Sequence, residues 1–252
     1  KTMATPPRLW WFQMKDPTCD KYPPLQGVPK LKGDTIVLHD DFSSETPSDL
    51  NGRKVSGTGG TLTWLASAHW KVGREVGAAD IAPGVAGSAW LPVSLSRGYL
   101  YRLSATLRPV PGDNKEWVAL GFSEDPVKPQ GEGYFQQEQR TLCWLLVRNT
   151  YADTQTFVGP GADVVKSHGG PLPGARRPGD AVALTVDIDT RGGDKWSVVW
   201  GVHGQVLRTE SVEPAKVEKI RHVGFGTAGL SKSQVPGGQV MQFSLRVAAG
   251  AE

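Results

Sequence analysis

Residues 99–108 alternate apolar and polar side chains without interruption. The apolar series consists of Tyr101, Leu103, Ala105 and Leu107. The polar series consists of Arg102, Ser104, Thr106 and Arg108. Successive side chains of an extended strand point to opposite faces, whereas a helix brings residues three and four apart onto one face. The segment is therefore predicted to be an antiparallel strand with one face on a core and the other towards solvent.

The same period of two recurs along the chain after residue 34. Strands are predicted over residues 35–39, 61–65, 69–72, 88–93, 117–122, 141–148, 153–158, 182–188, 196–202, 205–210, 222–226 and 240–247. His203 and Gly204 lie between two of them and are predicted to form a tight hairpin turn. Residues 141–148 and 153–158 are predicted to pair as another hairpin, across Asn149 and Thr150. Residues 51–60 are predicted to be loop, and residues 213–220 to contain no more than one helical turn. Pro92 indicates an edge strand or a strand end.

Composition supports an all-β fold and argues against two kinds of partner. The 252 residues include 31 Gly and 19 Pro, which favour turns over helices. The formal net charge is +3 and the basic residues are scattered, so no nucleic-acid partner is predicted. No apolar run approaches the ~20 residues of a membrane helix, so no membrane span is predicted. Many short strands separated by turns predict a sandwich of two antiparallel sheets.

The N-terminal residues 1–33 differ from the rest. They carry repeated prolines with little alternation, which predicts an extended Pro-rich lead or linker ahead of a sandwich domain over residues 34–252. The lead also contains the apolar run 9–12, Leu-Trp-Trp-Phe. Two interpretations remain open: the lead docks a partner, or it packs back on its own domain.

Several segments follow one another in the order seen in a known superfamily. They are residues 40–42 (Asp-Asp-Phe), 50–53 (Leu-Asn-Gly-Arg), 59–60, 63–64 (Thr-Trp), 99–109, 116–122, 144–148, 155–161, 223–226 and 243–245. Together they resemble the concanavalin A-like lectin/glucanase superfamily, in its laminin-G-like bacterial branch. The resemblance implies a jelly-roll-like sandwich that binds glycans or proteins. It also implies an extracellular, cell-surface or periplasmic location.

Catalytic chemistry is not the favoured interpretation. Glycoside hydrolysis needs two carboxylates on one surface, and the strand-borne Glu-x-Asp-x-x-Glu pattern of laminarinase-like relatives is missing. Asp187 and Asp189 lie two residues apart on one strand face, but are expected to form the solvated face of an edge strand. Residues 136–140, Gln-Gln-Glu-Gln-Arg, are only loosely similar to the arginine-bearing strand of alginate-lyase-like relatives. A polysaccharide hydrolase or lyase therefore remains a minor alternative.

Cysteines and acidic residues leave two further questions open. Cys19 and Cys143 either form a disulfide, in an oxidising compartment, or are free thiols with Cys143 buried in a strand. No cofactor is predicted from spacing. The family resemblance makes calcium a candidate, with Asp40, Asp41 and Asp163 as the acidic residues, although their spacing matches no defined calcium loop.

The nine tryptophans allow two interpretations: the aromatic residues pack the sandwich and its loops, or some of them stack on a sugar. Trp144, Trp196 and Trp200 share phase with apolar residues and are expected in the core. Trp117 is out of phase with its apolar neighbours and is expected to be exposed. The candidate ligand-binding residues are Trp117, Tyr134, Phe135, Arg140, Arg148 and Tyr151. The predicted function is a non-catalytic binding module of an extracytoplasmic protein, either carbohydrate-binding or adhesive, with a polysaccharide or cell-surface glycan as its partner. The alternative is an assembly subunit that docks a protein through residues 1–33 or an edge strand.

Overall fold

β-Strands dominate the chain in a computed structural model that describes residues 33–74, 77–81, 87–110, 117–124, 141–148, 153–158, 165–169, 179–228 and 237–249. The strands are β1 (Thr35–Asp40), β2 (Ser48–Asp49), β3 (Lys54–Gly57), β4 (Gly60–Thr63), β5 (Leu65–Ala66), β6 (Trp70–Val72), β7 (Ala79–Ile81), β8 (Gly87–Pro92), β9 (Tyr99–Arg108), β10 (Trp117–Ser123), β11 (Thr141–Arg148), β12 (Asp153–Val158), β13 (Val165–Gly169), β14 (Val182–Asp189), β15 (Trp196–Val202), β16 (Gln205–Val212), β17 (His222–Ala228) and β18 (Gly238–Ala249). One helix, α1 (Pro214–Val217), lies between β16 and β17.

The strands form two antiparallel sheets that pack face to face. The eleven-stranded sheet has the order β16-β15-β14-β9-β18-β1-β3-β4, with β7 beside β18 and the short strands β6 and β2 beyond it. The seven-stranded sheet has the order β13-β12-β11-β10-β17-β8-β5. The first and last long strands, β1 and β18, are hydrogen-bonded neighbours within the larger sheet. The all-β, two-sheet antiparallel sandwich predicted from the sequence is confirmed.

A continuous apolar core fills the space between the sheets. The inward residues of β9 and β14, such as Leu103 and Val186, meet inward residues of the other sheet, such as Leu120 and Phe225. Each such side chain removed from water contributes about 1.5–3 kcal/mol of favourable transfer free energy. The alternation read in residues 99–108 therefore reflects a strand with one face in this core, as predicted.

A polar network closes the start of the sandwich. Asp40 is buried at the end of β1 and accepts hydrogen bonds from the Nε and Nη2 atoms of Arg53, each at 3.0 Å at its shorter contact. The indole N–H of Trp64 donates to the same carboxylate at 2.8 Å, as does the backbone N–H of Phe42. A buried carboxylate is stable only when its oxygens are satisfied in this way. The residues that open the family resemblance thus form one structural unit.

Several local predictions agree with the structure. His203 and Gly204 form the turn between β15 and β16, both with positive φ (49° and 75°), as a two-residue hairpin requires. Residues 141–148 and 153–158 pair as β11 and β12. Pro92 ends β8. The expected single helical turn is α1, with Pro214 at its start.

Two other predictions are wrong. Residues 51–60 are not all loop, because they contain β3, which pairs β4 and places Val55 in the core. The Ser- and Gly-rich composition concealed this strand. In addition, Asp187 does not lie on an edge strand: β14 is central, between β9 and β15, and Asp187 is buried.

Residues 1–32 lie outside the described residues, so the division into a lead (1–33) and a sandwich (34–252) stays a prediction. Within the described ranges, no helix combines the length and apolar character that crossing a bilayer demands.

Candidate functional site

The outer face of the seven-stranded sheet carries a second apolar cluster, separate from the core between the sheets. We call this cluster the aromatic face; its members are Trp90, Trp117, Ala119, Trp144, Leu146 and Phe157. It arises because β10 and β11 are apolar at successive positions instead of alternating. Every residue of β10 is buried, with Val118 directed to the core and Trp117 to the aromatic face. Strands buried on both sides have this near-continuous apolar character.

Two glycines lie at the middle of the aromatic face. Gly121 of β10 and Gly224 of β17 are register partners. On the next strand to either side, Trp144 pairs with Gly121 and Trp90 pairs with Gly224. A Cβ atom at Gly121 would lie 2.3 Å from the Cβ of Trp144. One at Gly224 would lie 2.0 Å from the carbonyl oxygen of Ala89 and 2.6 Å from the Trp90 ring. Only glycine therefore lets the two tryptophans pack this close to the sheet.

The rings of the aromatic face contact one another in defined orientations. Trp144 and Phe157 stack with centroids 3.7 Å apart and an interplanar angle of 7°. Trp117 lies 5.7 Å from Trp144 at 46°. The carbonyl oxygen of Trp144 accepts a hydrogen bond from the indole N–H of Trp200 in the core, at 3.0 Å. The aromatic face is thus anchored through the sheet to the opposite layer.

The structure brings together two of the six candidate ligand-binding residues. Trp117 and Arg148 are directly opposite each other on β10 and β11. The prediction that Trp117 is exposed is wrong: its side chain is 5% exposed, because the outer face of the sheet has its own packed layer. Arg148 is half-buried at the border of that layer. The other four candidates lie outside the described residues; they are Tyr134, Phe135, Arg140 and Tyr151.

The tryptophans expected in the core are buried, as predicted, but in two different layers. Trp196 and Trp200 lie between the sheets, whereas Trp144 belongs to the aromatic face. Alternation within β11 could have separated Trp144 from Cys143, but it could not say that both sides are covered. The contribution of Trp90 was missed altogether, because its short strand shows no clear period.

The two carboxylates of β14, Asp187 and Asp189, are each paired with an arginine. Both oxygens of Asp187 accept hydrogen bonds from the Arg102 guanidinium, from Nε at 2.8 Å and from Nη2 at 2.6 Å. Burial raises the pKa of Asp187, and the hydrogen bonds from Arg102 oppose that rise. Asp189 pairs with Arg191 instead, which lowers its pKa. The two carboxylates are thus held by separate arginines.

Cys143 is a free thiol, fully buried in the core between the sheets. Burial raises the pKa of this thiol far above its ordinary value, so it remains protonated and unreactive. Cys19 lies outside the described residues, so the Cys19–Cys143 disulfide stays a prediction.

Of the three calcium candidates, Asp40 and Asp41 are described and both already accept hydrogen bonds from protein groups. Asp40 is occupied by Arg53 and Trp64, and Asp41 accepts hydrogen bonds from the backbone N–H and hydroxyl of Ser43. Asp163 lies outside the described ranges. Among the residues that are described, no three His, Cys, Asp or Glu side chains come together as a metal site. A calcium site on Asp40 does not fit its hydrogen-bonded partners.

Comparison with solved structures identifies the fold. The carbohydrate recognition domain of Emp47p matches with a TM-score of 0.52 and 17% identity, over 83% of this chain and 97% of that one. The potassium-bound carbohydrate recognition domain of Emp46p matches with 0.52 and 13%, over 75% and 89%. Peanut lectin, solved with a nine-residue peptide, matches with 0.52 and 12%, over 75% and 93%. This chain therefore has the concanavalin A-like fold that its sequence resemblance implied.

Sequence-level comparison adds no closer relation. No protein-family model matches the chain, and no curated protein matches it.

Proposed function

We propose that this chain is a non-catalytic carbohydrate-binding module of an extracytoplasmic protein, with an adhesive role towards a polysaccharide or a cell-surface glycan. The observation that carries the proposal is the concanavalin A-like sandwich itself, and the site is proposed on its seven-stranded sheet, beside Arg148. Structures of this fold include proteins described as carbohydrate recognition domains and as a lectin. An extracellular, cell-surface or periplasmic location follows from the proposed ligand.

The sugar-binding surface is proposed at the border of the aromatic face, not at its centre. The central rings are buried, so they hold the sheet rigid and cannot stack on a ligand themselves. Arg148 is half-buried beside Trp117 and supplies guanidinium donors that suit sugar hydroxyls and carboxylates. The sequence also assigns Tyr134, Phe135, Arg140 and Tyr151 to the proposed site, and these four lie outside the described residues.

A non-catalytic role is supported by the intramolecular partners of reactive side chains in the described part of the chain. Asp187 is held by Arg102, Asp40 is held by Arg53 and Trp64, and the Cys143 thiol is protonated in the core. Acid–base catalysis would require a carboxylate whose oxygens can reach a substrate.

Binding of the full 252-residue chain to an array of polysaccharides and cell-surface glycans tests this proposal. The affinity of the glycan that binds is then measured by titration calorimetry for the unmodified chain, for R148A and Y151A, and for R191A as the matched control. Arg191 is also a surface arginine, but it pairs with Asp189 on the other sheet. We expect R148A to weaken binding by about tenfold or more, the loss of one charged hydrogen-bonding group, and R191A to leave it unchanged.

Three results would overturn parts of the proposal. Unchanged binding in R148A and Y151A would move the site elsewhere on the sandwich. Release of reducing ends from a bound polysaccharide would assign a hydrolase. Self-association on size exclusion, without glycan binding, would favour the assembly subunit that docks through residues 1–33 or an edge strand. Repeating the titration with a chelator and with added calcium tests the candidate metal.

A further inference from the structure

A groove of about 530 Å³ crosses the outer face of the eleven-stranded sheet, on the side of the sandwich opposite the aromatic face. We call it the polar groove. It runs over β14, β9, β18 and β1, and its lining includes Ser104, Thr106, Thr185, Gln242, Ser244 and His39. None of these residues belongs to the surface proposed above for the function of the chain.

One continuous register row forms the centre of the polar groove. Thr185 pairs with Ser104, Ser104 with Ser244, and Ser244 with His39. Neighbouring strands lie about 4.8 Å apart, so the four side chains present polar groups along about 14 Å. The three hydroxyl-bearing residues are half-buried. Within the described part of the chain, their hydroxyls form no intramolecular hydrogen bond. These hydroxyls are consequently available to a ligand.

The groove is hollow because short side chains lie between long ones. Arg102 and Arg246 form the next row on one side of Ser104 and Ser244. On the other side, beyond Thr106, Arg108 donates a hydrogen bond to Gln239 at 3.1 Å. Long paired side chains thus form two walls, and serine and threonine form the floor.

A β-bulge fixes the polar lining at one end. Met241 pairs with Thr106 and Ser244 with Ser104, so β18 holds one residue more than β9 over this step. Gln242 occupies the bulge with φ at +53° and is exposed, with its side-chain oxygen 3.5 Å from the Thr106 hydroxyl. Bulky residues rarely adopt this conformation, and those that do are concentrated at ligand sites.

Three charged groups around the groove already have partners within the molecule. The guanidinium of Arg102 binds Asp187, and that of Arg246 donates to Asp34 at 2.8 Å. Asp41, at the far end, accepts hydrogen bonds from Ser43, which lowers its pKa. A charged ligand would have to compete with these intramolecular pairs, whereas a neutral ligand would leave them intact.

We infer that the polar groove is a second binding site, and that it takes a short neutral polyhydroxylated chain, namely an oligosaccharide. Hydroxyl and amide side chains both donate and accept hydrogen bonds, which matches the paired donor and acceptor character of sugar hydroxyls. Ile36 borders the groove with 45% of its surface exposed and offers an apolar contact for the C–H face of a sugar ring. This inference does not rest on the function proposed above.

Amide-resolved NMR titration of the full chain with neutral trisaccharides of glucose and of mannose tests the inference. A trisaccharide of galacturonate and free glycerol serve as the acidic and the small-polyol arms. We expect a neutral trisaccharide to shift the amides of Ser104, Thr185 and Ser244, and the acidic and small arms to leave them unmoved. Shifts at Leu146–Val147 would instead report binding near the aromatic border, so the two proposals fail separately.

Two groove-filling variants and one matched control locate the site. S104V and S244V replace a floor hydroxyl by a branched methyl pair, and both are expected to weaken trisaccharide binding by about tenfold or more. S197V makes the same change on β15, outside the groove, and is expected to leave the affinity unchanged. Having two variants guards against one failing to fold. The inference is wrong if no neutral trisaccharide shifts the groove amides, if galacturonate or a peptide binds there instead, or if S197V weakens binding equally.

Discussion

The two outer faces of this sandwich carry contrasting side chains, apolar on one sheet and polar on the other. The aromatic face of the seven-stranded sheet is a buried layer of tryptophan and phenylalanine that rests on glycine. The outer face of the eleven-stranded sheet is a half-exposed array of hydroxyls and arginine–aspartate pairs. Both faces lie on sheets with equally apolar inner sides. The sandwich core therefore determines the fold, while each outer face is free to adopt its own chemistry.

The difference also separates two sources of stability. On the aromatic face the stabilising contribution comes from packing, which depends on shape and is insensitive to salt. On the polar face it comes from oriented charge pairs, whose value depends on burial and protonation. Substitutions on the two faces should consequently differ in size and in their response to pH.

The largest effect is expected on the aromatic face, from W144A. Trp144 is buried, stacks on Phe157 at 3.7 Å and lies beside Trp117. Truncation leaves a cavity that the rigid sheet cannot fill, and we expect a loss of about 3–5 kcal/mol in the free energy of unfolding by urea denaturation. T106A on the polar face is the control and should change it by less than about 0.5 kcal/mol. Similar losses for both would erase the contrast between the faces.

A loss of nearly this size is expected from R102L on the polar face. Arg102 is the bidentate partner of Asp187, and both side chains are largely buried. Removing the guanidinium strands a buried carboxylate, so we expect the protein to lose about 3 kcal/mol at neutral pH, and less in acid. Unfolding measured at both pH values checks this. A loss below about 1 kcal/mol would mean that the pair acts as an ordinary surface salt bridge.

A smaller loss is expected from G224A, which tests the glycine floor. The added methyl would lie 2.0 Å from the Ala89 carbonyl oxygen and 2.6 Å from the Trp90 ring, so strands or ring must shift. We expect about 2 kcal/mol of destabilisation. G193A introduces the same methyl where nothing lies within 4 Å and should be neutral. Equal thermal midpoints for the two variants would refute close packing over Gly224.

The smallest effect concerns two carboxyl groups of one strand. Burial raises the pKa of Asp187, whereas the hydrogen bond from Arg191 lowers that of Asp189. Asp189 therefore contributes stability above its ordinary pKa, and this is lost as the pH falls through its lowered value. Asp187 has the opposite sign: the folded state gains relative stability as the pH falls through its raised value. NMR titration of both carboxyls checks the order, and a lower pKa for Asp187 than for Asp189 would reverse the assignment.

Local patterns in the sequence were enough to predict most of the longer strands and two hairpins, but not the strands β2, β3, β7 and β13. The period of two located β9 at its observed ends, and His203-Gly204 located the turn between β15 and β16. These features depend on neighbouring residues only, which is why they can be read from a single chain. Val55 shows the limit, because a strand of small polar residues has no clear apolar alternation.

The outer faces could not be predicted, since burial there depends on residues distant in the chain. Trp117 was expected to be exposed because it is out of phase with the core side of β10, yet that phase only specifies the opposite face. Whether Asp187 lies on an edge or a central strand depends on β9, whose Arg102 is 85 residues away from it in sequence. The pairing of Trp117 with Arg148 likewise follows from strand register. Residue identities were available in each case, but neighbour relations were not.

The position of β18 has a consequence for biosynthesis. This strand lies between β9 and β1, so residues 238–249 complete the middle of the larger sheet. Until residues 238–249 have left the ribosome, β1 and β9 each present one strand edge that lacks its native partner. The sandwich must therefore close after nearly all of the described residues have left the ribosome. Because most of its contacts join segments that are distant in the sequence, a domain of this topology is expected to fold slowly.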